Sequence, residues 1–256
     1  MDIRSDAKGL LNREFINRNN EKYNFAEWVE KILNPQVGMQ VLDIGCGVGK
    51  QILPLSTKIL PNGHIIGIDI SQEALNIINE KVKIQNIKSI TTLCLEMDDI
   101  TKKLFNKRFD LIYSVYAFYY SNNMLQLLID ISSILKYDGK IVLFGPGNKS
   151  NKELIDIINV IEKGHSKYYK DFLSHKKLIT LKNEFDLIEI ERFENVVFFL
   201  DPHDFMIWYQ TSELYDCKLQ DIILEKIGSI IKDYGKFQLT KETVAITLKK
   251  VTNEKI

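Results

Sequence analysis

The order of apolar and polar positions divides the first half of the chain into short apolar runs separated by helical stripes. QVLDIG (40–45) is a run of aliphatic and β-branched residues ended by glycine, the pattern of a strand buried on both faces. Residues 50–60 follow with helical spacing and stop at the turn sequence Pro61-Asn62-Gly63. HIIGIDI (64–70) predicts a second strand. Ser71 then stands as N-cap to a helix whose Ala74, Leu75, Ile77, Ile78 and Val82 share one face. SITTLCLE (89–96) and FDLIYSV (109–115) predict a third and a fourth strand. MLQLLIDISSILK (124–136) reads as a helix ended near Tyr137-Asp138-Gly139, and KIVLFG (140–145) as a fifth strand. Alternation at this pace means right-handed crossovers and a parallel sheet covered on both faces.

The flanking segments are less regular. NFAEWVEKIL (24–33) predicts a helix ahead of the first strand. NKELIDIINVIEKG (151–164) predicts an amphipathic helix capped by Ser150 or Asn151, and 167–184 also reads as helical. A long β-rich stretch, FDLIEIERFENVVFFL (185–200), leads to two helices, 201–215 and 219–235, and to a last strand, TVAITLKKV (243–251). No internal repeat or Pro/Gly/Ser linker breaks the chain. The expectation is one domain over 1–256: a helical N-terminal arm (1–38), a core (39–147), a helical cap (148–184), and C-terminal strands and helices (185–256).

Composition narrows the partners. Thirty-four Lys plus Arg against 34 Asp plus Glu leave no net charge, hence no overall electrostatic footprint for nucleic acid or anionic membrane. Apolar runs such as VVFFL (196–200) are strand-sized, far short of the ~20 residues of a membrane span. MDIRSDAKGL lacks the basic-then-apolar order of a signal peptide. Cys46, Cys94 and Cys217 form neither a disulfide framework nor a zinc pair. A soluble, cytoplasmic protein with no bound metal is the expectation.

The strongest chemical signal is Val41-Leu42-Asp43-Ile44-Gly45-Cys46-Gly47-Val48-Gly49. Glycines between a strand and a helix let backbone approach a ligand where a Cβ would collide. Asp69 ends the second strand, placed to accept from ribose hydroxyls, and Asp98 lies just past the third. The spacing argues against a dinucleotide: the fingerprint is GxGxxG, whereas here the third glycine comes one residue early and position 50 is Lys. Asp43, two residues before the first glycine, would repel a pyrophosphate yet suits a ligand carrying an ammonium and a sulfonium.

On these residues, with GIDIS (67–71), LEMDDI (95–100), FDLIYS (109–114) and LKYDGKIVLFGPG (135–147), the chain resembles the class I S-adenosylmethionine-dependent methyltransferases over about residues 35–147. The resemblance implies an α/β, Rossmann-like fold with a mostly parallel seven-stranded sheet and an antiparallel last strand. It implies S-adenosyl-L-methionine as cofactor and S-adenosyl-L-homocysteine as product. Gly45, Cys46 and Gly47 would bracket the methionine part, which Asp43 helps orient. Asp69 would take the ribose, Ile70 one face of adenine, Asp98 the adenine amine, and Met97 and Asp99 the ring. Tyr113 and Ser114 would border the methyl group and the cofactor's amino group.

The arm (10–33), GNKSNKEL (147–154) and FMIWYQTSELY (205–215) resemble a small-molecule subgroup, which implies methyl transfer to an O or N atom, of the kind used in natural-product metabolism. Tyr116, Tyr119 and Tyr120 follow the fourth strand, where the acceptor approaches in this fold, and Tyr23 and Arg13 on the arm are further candidates to reach it. Aromatic walls with hydroxyls suit a planar or amphipathic acceptor. A general base is needed only for a protonated acceptor. His165, His203 and Tyr120 are the candidates, whereas His64 and His175 read as structural and solvated. Six lysines (163, 167, 170, 176, 177, 182) would draw an anionic acceptor or simply solvate a helix. Peptide or protein methylation, and a non-catalytic cofactor-binding partner, remain alternatives.

Overall fold

In the computed structural model, which describes residues 7–162, 172–173, 180–181 and 184–250, the apolar runs of the first half become β1 (Gln40–Ile44), β2 (His64–Asp69), β3 (Ile90–Cys94), β4 (Phe109–Val115) and β5 (Leu135–Pro146). Two longer strands, β6 (Phe185–Phe199) and β7 (Phe237–Lys250), complete a seven-stranded sheet of order β3-β2-β1-β4-β5-β7-β6. The pairings among β1 to β5 are parallel, and β7 runs antiparallel to both β5 and β6. The last strand is thus reversed, as the resemblance implies.

Side-chain alternation assigns the two faces. Leu42, Ile44, Ile112, Ile141 and Leu143 pack on one side with α5 (Ile100–Leu104) and α6 (Met124–Ser132). Val41, Ile65, Leu111, Val142 and Phe144 pack on the other with α2 (Phe25–Leu33), α3 (Ile52–Lys58) and α4 (Gln72–Ile84). Ser71 caps α4 by accepting from Ala74 N, and Asn24 caps α2 by accepting from Glu27 N. Each such cap is worth ~1 kcal/mol.

A third apolar cluster lies where the β6–β7 hairpin outruns the sheet. It joins α1 (Ala7–Asn20), α7 (Lys152–Ile161), α8 (Pro202–Gln210) and α9 (Gln220–Tyr234) around Val197, Phe199, Phe237 and Leu239. The arm is sewn to β6. Glu21 bridges Val197, and buried Asn195 accepts from Tyr23 N at 3.0 Å and donates to Tyr23 O at 2.7 Å. This lobe faces the carboxyl ends of β1, β2 and β4 across a cavity.

Two boundaries depart from the sequence reading. The helix at 124 stops at Ser132, not near Tyr137, because Phe109 N donates to Ile134 O at 2.9 Å and Leu135 already pairs with Phe109. A buried Leu135 fits a helical stripe and a strand equally, and the ladder takes it. At α7 neither proposed residue caps through its side chain: Ser150 Oγ donates to Glu242 O at 2.5 Å, and Asn151 Oδ1 accepts from Lys241. The helix expected over 167–184 and the six lysines lie largely or wholly outside the described residues. No helix among the described residues is long and apolar enough to cross a membrane.

Candidate functional site

Strand order fixes the place of the site. β1 and β4 are neighbours, yet their crossovers leave in opposite directions, which opens a crevice at their carboxyl ends. A cavity of about 380 Å³ occupies it. Its floor is the glycine loop, where Gly45 and Gly47 have φ of +75° and +53°. Gly45 N and Cys46 N both donate to Ile68 O, at 2.8 and 3.0 Å. Asp69 completes the clamp, its two oxygens accepting from Gly47 N at 2.8 Å and Ser71 N at 2.9 Å. Burial raises the Asp69 pKa, against the lowering effect of these N–H groups. The carboxylate fixes the loop and still presents lone pairs to the cavity it lines.

Five of the expected cofactor residues stand on the wall: Gly45, Gly47, Asp69, Ile70 and Met97. The other six do not. Asp43 and Tyr113 are direct cross-strand partners on the same face, so the Tyr113 hydroxyl donates to Asp43 Oδ2 at 2.7 Å, with both residues buried beneath the loop. Tyr113 therefore stays off the wall, and Asp43 lies behind the glycines. Burial pushes the Asp43 carboxyl up to about 7, the Tyr113 bond opposes this, and the Asp69 charge adds to it. Ser114 points to the opposite face, where its hydroxyl donates to Ile44 O at 2.8 Å. Cys46 is buried behind the loop, and burial followed by the charges of Asp43 and Asp69 pushes its thiol pKa well up.

Asp98 also stands off the wall. Its oxygens accept from Ser121 Oγ at 2.6 Å, Asn122 Nδ2 at 2.7 Å and Asn122 N at 3.1 Å, which ties the turn after β4 to the end of β3. Burial works upward on this carboxyl, but the three bonds outweigh it and hold the pKa below the ordinary value. Asp99 pairs with Lys102. A short turn (Met97–Asp99) aims only Met97 inward, beside Leu95 and Glu96.

On the lobe side, Tyr116, Tyr119 and Tyr120 line the cavity as the sequence suggested. Tyr116 has φ +57°, rare for a bulky residue and a mark of backbone held by its surroundings. That turn carries its hydroxyl to Thr243 Oγ1 at 2.7 Å. Tyr120 donates to Glu213, which also lines the cavity. The Tyr119 ring lies tilted against Tyr120, centroids 4.6 Å apart, and burial, then the Tyr120 and Glu213 charges, push its phenol well up. Tyr23 stays off the wall, its ring half exposed against Lys22 and Phe193. His203 is exposed in the first turn of α8 and off the wall. His165 and His175 lie outside the described residues. His64 hydrogen-bonds Thr91 Oγ1 at 2.9 Å, a structural role. Arg13 falls within α1.

Sequence reasoning missed the residues that the lobe contributes: Glu21 and Phe25 from the arm, Asn151 before α7, Trp208 on α8, and Lys241 on β7. Lys241 had a legible signal. Phe237, Leu239, Lys241, Thr243 and Ala245 share one strand face by alternation, and a lysine interrupts that apolar stripe.

The donors left on the floor test what the cavity takes. Among the described residues, the one buried side-chain nitrogen or oxygen with no hydrogen-bond partner is Gln51 Nε2, on the cavity wall beside the loop. A buried orphan donor is costly unless a ligand oxygen meets it. With Gly47, Asp69 and the apolar Ile70, Leu95 and Met97, it forms a cradle for a nucleoside joined to an amino acid. The residues present fit S-adenosylmethionine. Among the described residues no group of three or more His, Cys, Asp or Glu could hold a metal ion.

Fold and cradle together define a class I S-adenosylmethionine-dependent methyltransferase. A family model described as "Methyltransferase domain" matches residues 35–177, and the chain belongs to that family. It is similar to a demethylmenaquinone methyltransferase of Lactobacillus johnsonii, 26% identical over 149 residues that make up 58% of each chain. A malonyl-[acyl-carrier protein] O-methyltransferase of Ilyobacter polytropus is 29% identical over 170 residues, 62% of this chain and 60% of that one. The chain thus spans about three fifths of the length of these curated relatives. Among solved structures, a methyltransferase-like protein of Bacillus halodurans has the same fold, with a TM-score of 0.62 at 15% identity over 89% of this chain and 99% of that one.

Proposed function

We propose that this protein transfers the methyl group of S-adenosylmethionine to an oxygen or nitrogen atom of a small molecule. The observation that carries the reading is one continuous cavity whose wall runs from the glycine loop and Asp69 to Tyr116, Tyr119 and Trp208. The relatives named for demethylmenaquinone and for malonyl-[acyl-carrier protein] support an acceptor of metabolic rather than nucleic-acid type.

S-adenosylmethionine supplies, when bound, a methyl group already activated on a sulfonium. The chain's task is then to bind, orient and exclude water. Gly45 and Gly47 admit the amino-acid part, Gln51 Nε2 donates to it, and Asp69 accepts from the ribose hydroxyls. Ile70, Leu95 and Met97 offer apolar faces to the purine. Asp43 lies behind Gly45 and favours a cationic ligand once it ionises, above about pH 7. The arm closes the opposite wall, with Phe25 under the Lys50 ammonium at 5.7 Å. Where the acceptor is a phenol or ammonium, the Tyr120–Glu213 pair is a group on the wall able to accept its proton.

The test is transfer of label from S-adenosyl-[methyl-³H]methionine in a cell extract fractionated by size. The expected result is label in the small-molecule fraction, dependent on the protein. Label confined to macromolecules, or no label despite tight cofactor binding, would overturn the reading.

A further inference from the structure

We propose that the arm reads the amino-acid end of the cofactor, with Glu21 receiving its ammonium while Lys50 and Gln51 receive its carboxylate. The inference rests on the S-adenosylmethionine cradle and adds the groups that tell the intact cofactor from forms lacking either charge. Glu21, Lys50 and Gln51 all line the cavity. Lys50 and Gln51 directly follow Gly49, so they stand beside the loop that admits the amino-acid part. Glu21 comes from the arm, which closes the opposite wall.

The chain is pinned where Glu21 leaves it. Glu21 bridges Val197, Lys22 N donates to Val196 O at 2.9 Å, and Tyr23 N donates to Asn195 Oδ1 at 3.0 Å. The carboxylate is therefore placed, yet its own hydrogen bonds are weak. Oε1 accepts from Phe25 N at 3.3 Å and Oε2 from Asn195 Nδ2 at 3.4 Å, both beyond the usual limit of ~3.2 Å. Burial raises the Glu21 pKa, and the Phe25 N–H and then the Lys50 charge oppose it. A carboxylate partly out of water, with two long bonds, gains most from a cation that donates to it.

Lys50 is the counterpart. Its charge acts on Glu21 through space, but none of the salt bridges among the described residues joins the two. Its Nζ lies over the Phe25 ring instead, 5.7 Å from the centroid. Opposite charges held apart beside the glycine loop are the complement of a zwitterion, whose ammonium and carboxylate share one carbon. Gln51 Nε2, buried without a partner and next in sequence to Lys50, adds a second donor to the carboxylate. The rest of the wall agrees. Glu21, Asp69, Glu96 and Glu213 outnumber Lys50 and Lys241, and that acidic excess suits a cofactor whose sulfonium gives it a net positive charge. Asp69 is taken by the ribose, which leaves Glu21 for the ammonium.

The experiment is calorimetry with S-adenosylhomocysteine, its deaminated analogue and its decarboxylated analogue. The parent protein should bind S-adenosylhomocysteine about tenfold or more tighter than either analogue. Glu21→Gln, which keeps an acceptor for Phe25 N and nearly the same shape, should weaken S-adenosylhomocysteine about tenfold and leave the deaminated analogue unchanged. Lys50→Met and Gln51→Leu should each weaken S-adenosylhomocysteine and leave the decarboxylated analogue unchanged, whereas Lys50→Arg should keep the parent's preference. A purely structural role would weaken all three ligands alike. The comparison on the parent stands even where a variant fails to fold. The proposal falls if either analogue matches S-adenosylhomocysteine on the parent, if Glu21→Gln and Lys50→Met weaken every ligand equally, or if neither changes S-adenosylhomocysteine affinity. Failure of S-adenosylhomocysteine itself to bind the parent would instead remove the reading beneath it.

Discussion

Alanine at Gly45 is expected to abolish measurable S-adenosylhomocysteine binding and to cost the fold several kcal/mol. Two independent penalties meet there. The backbone at φ +75° is left-handed, which costs a residue with a Cβ about 1–2 kcal/mol. The added Cβ would also fall inside the van der Waals radius of Ala117 Cβ. Ala117 has no rotamer to change, and its neighbour Phe118 is fully buried, so the loop must yield. Overpacking of this kind adds about 1–3 kcal/mol, for a total of roughly 2–5. Yielding also pulls Gly47 N away from Asp69, and the cradle opens. Gly38→Ala is the control: its φ is +82°, but nothing lies within 4 Å of the added Cβ. It should lose about 1 kcal/mol in a urea melt and leave cofactor affinity unchanged. If the two variants behave alike, steric closure at Ala117 is not what shapes the loop.

Asp43→Asn is expected to make the protein more stable at pH 8 while weakening cofactor binding about tenfold, or ~1.4 kcal/mol. Burial lifts the native carboxyl from 3.8 to about 7, so the native state holds its proton more tightly than the unfolded chain. Between about pH 4 and pH 7 the unfolded state has released that proton and the native state has not. Stability therefore falls as pH rises, by ~1.4 kcal/mol per pH unit, to a total of about 4 kcal/mol. Below pH 4 both states are protonated and the penalty is absent. Asparagine keeps an acceptor for the Tyr113 hydroxyl and removes the titration. Asp69 pulls in the same direction but is present in both proteins, so the difference isolates Asp43. Urea melts from pH 4 to pH 8 should diverge between variant and parent as pH rises, while calorimetry shows the loss of affinity. Parallel profiles would mean that Asp43 is not held neutral.

The core was legible because β1, β2 and β4 are short and mostly buried, so apolar runs, glycines and strand-end acids carry the pattern. Ser71 read correctly as a cap for the same reason: the signal is local. Asp98, Tyr113 and Ser114 turn away from the cavity wall, because the direction a side chain takes depends on its neighbours. Tyr113 goes to the face of Asp43 through cross-strand register, and Asp98 is taken by Ser121 and Asn122, 23 and 24 residues away. The lobe side was least legible. Glu21, Asn151, Trp208 and Lys241 come from four separate segments that only the β6–β7 hairpin brings together. The lysine in β7 was visible, but the strand was taken to begin at Thr243, which left Lys241 outside it.

Calorimetric titration of S-adenosylhomocysteine into the purified protein, with NADH in parallel and Asp69→Ala as control, bears most directly on the site. One equivalent of S-adenosylhomocysteine should bind, at least tenfold more weakly to Asp69→Ala, and NADH should give no heat. Saturable binding of NADH without S-adenosylhomocysteine, or unchanged affinity in Asp69→Ala, would contradict a sulfonium nucleoside seated over the glycine loop.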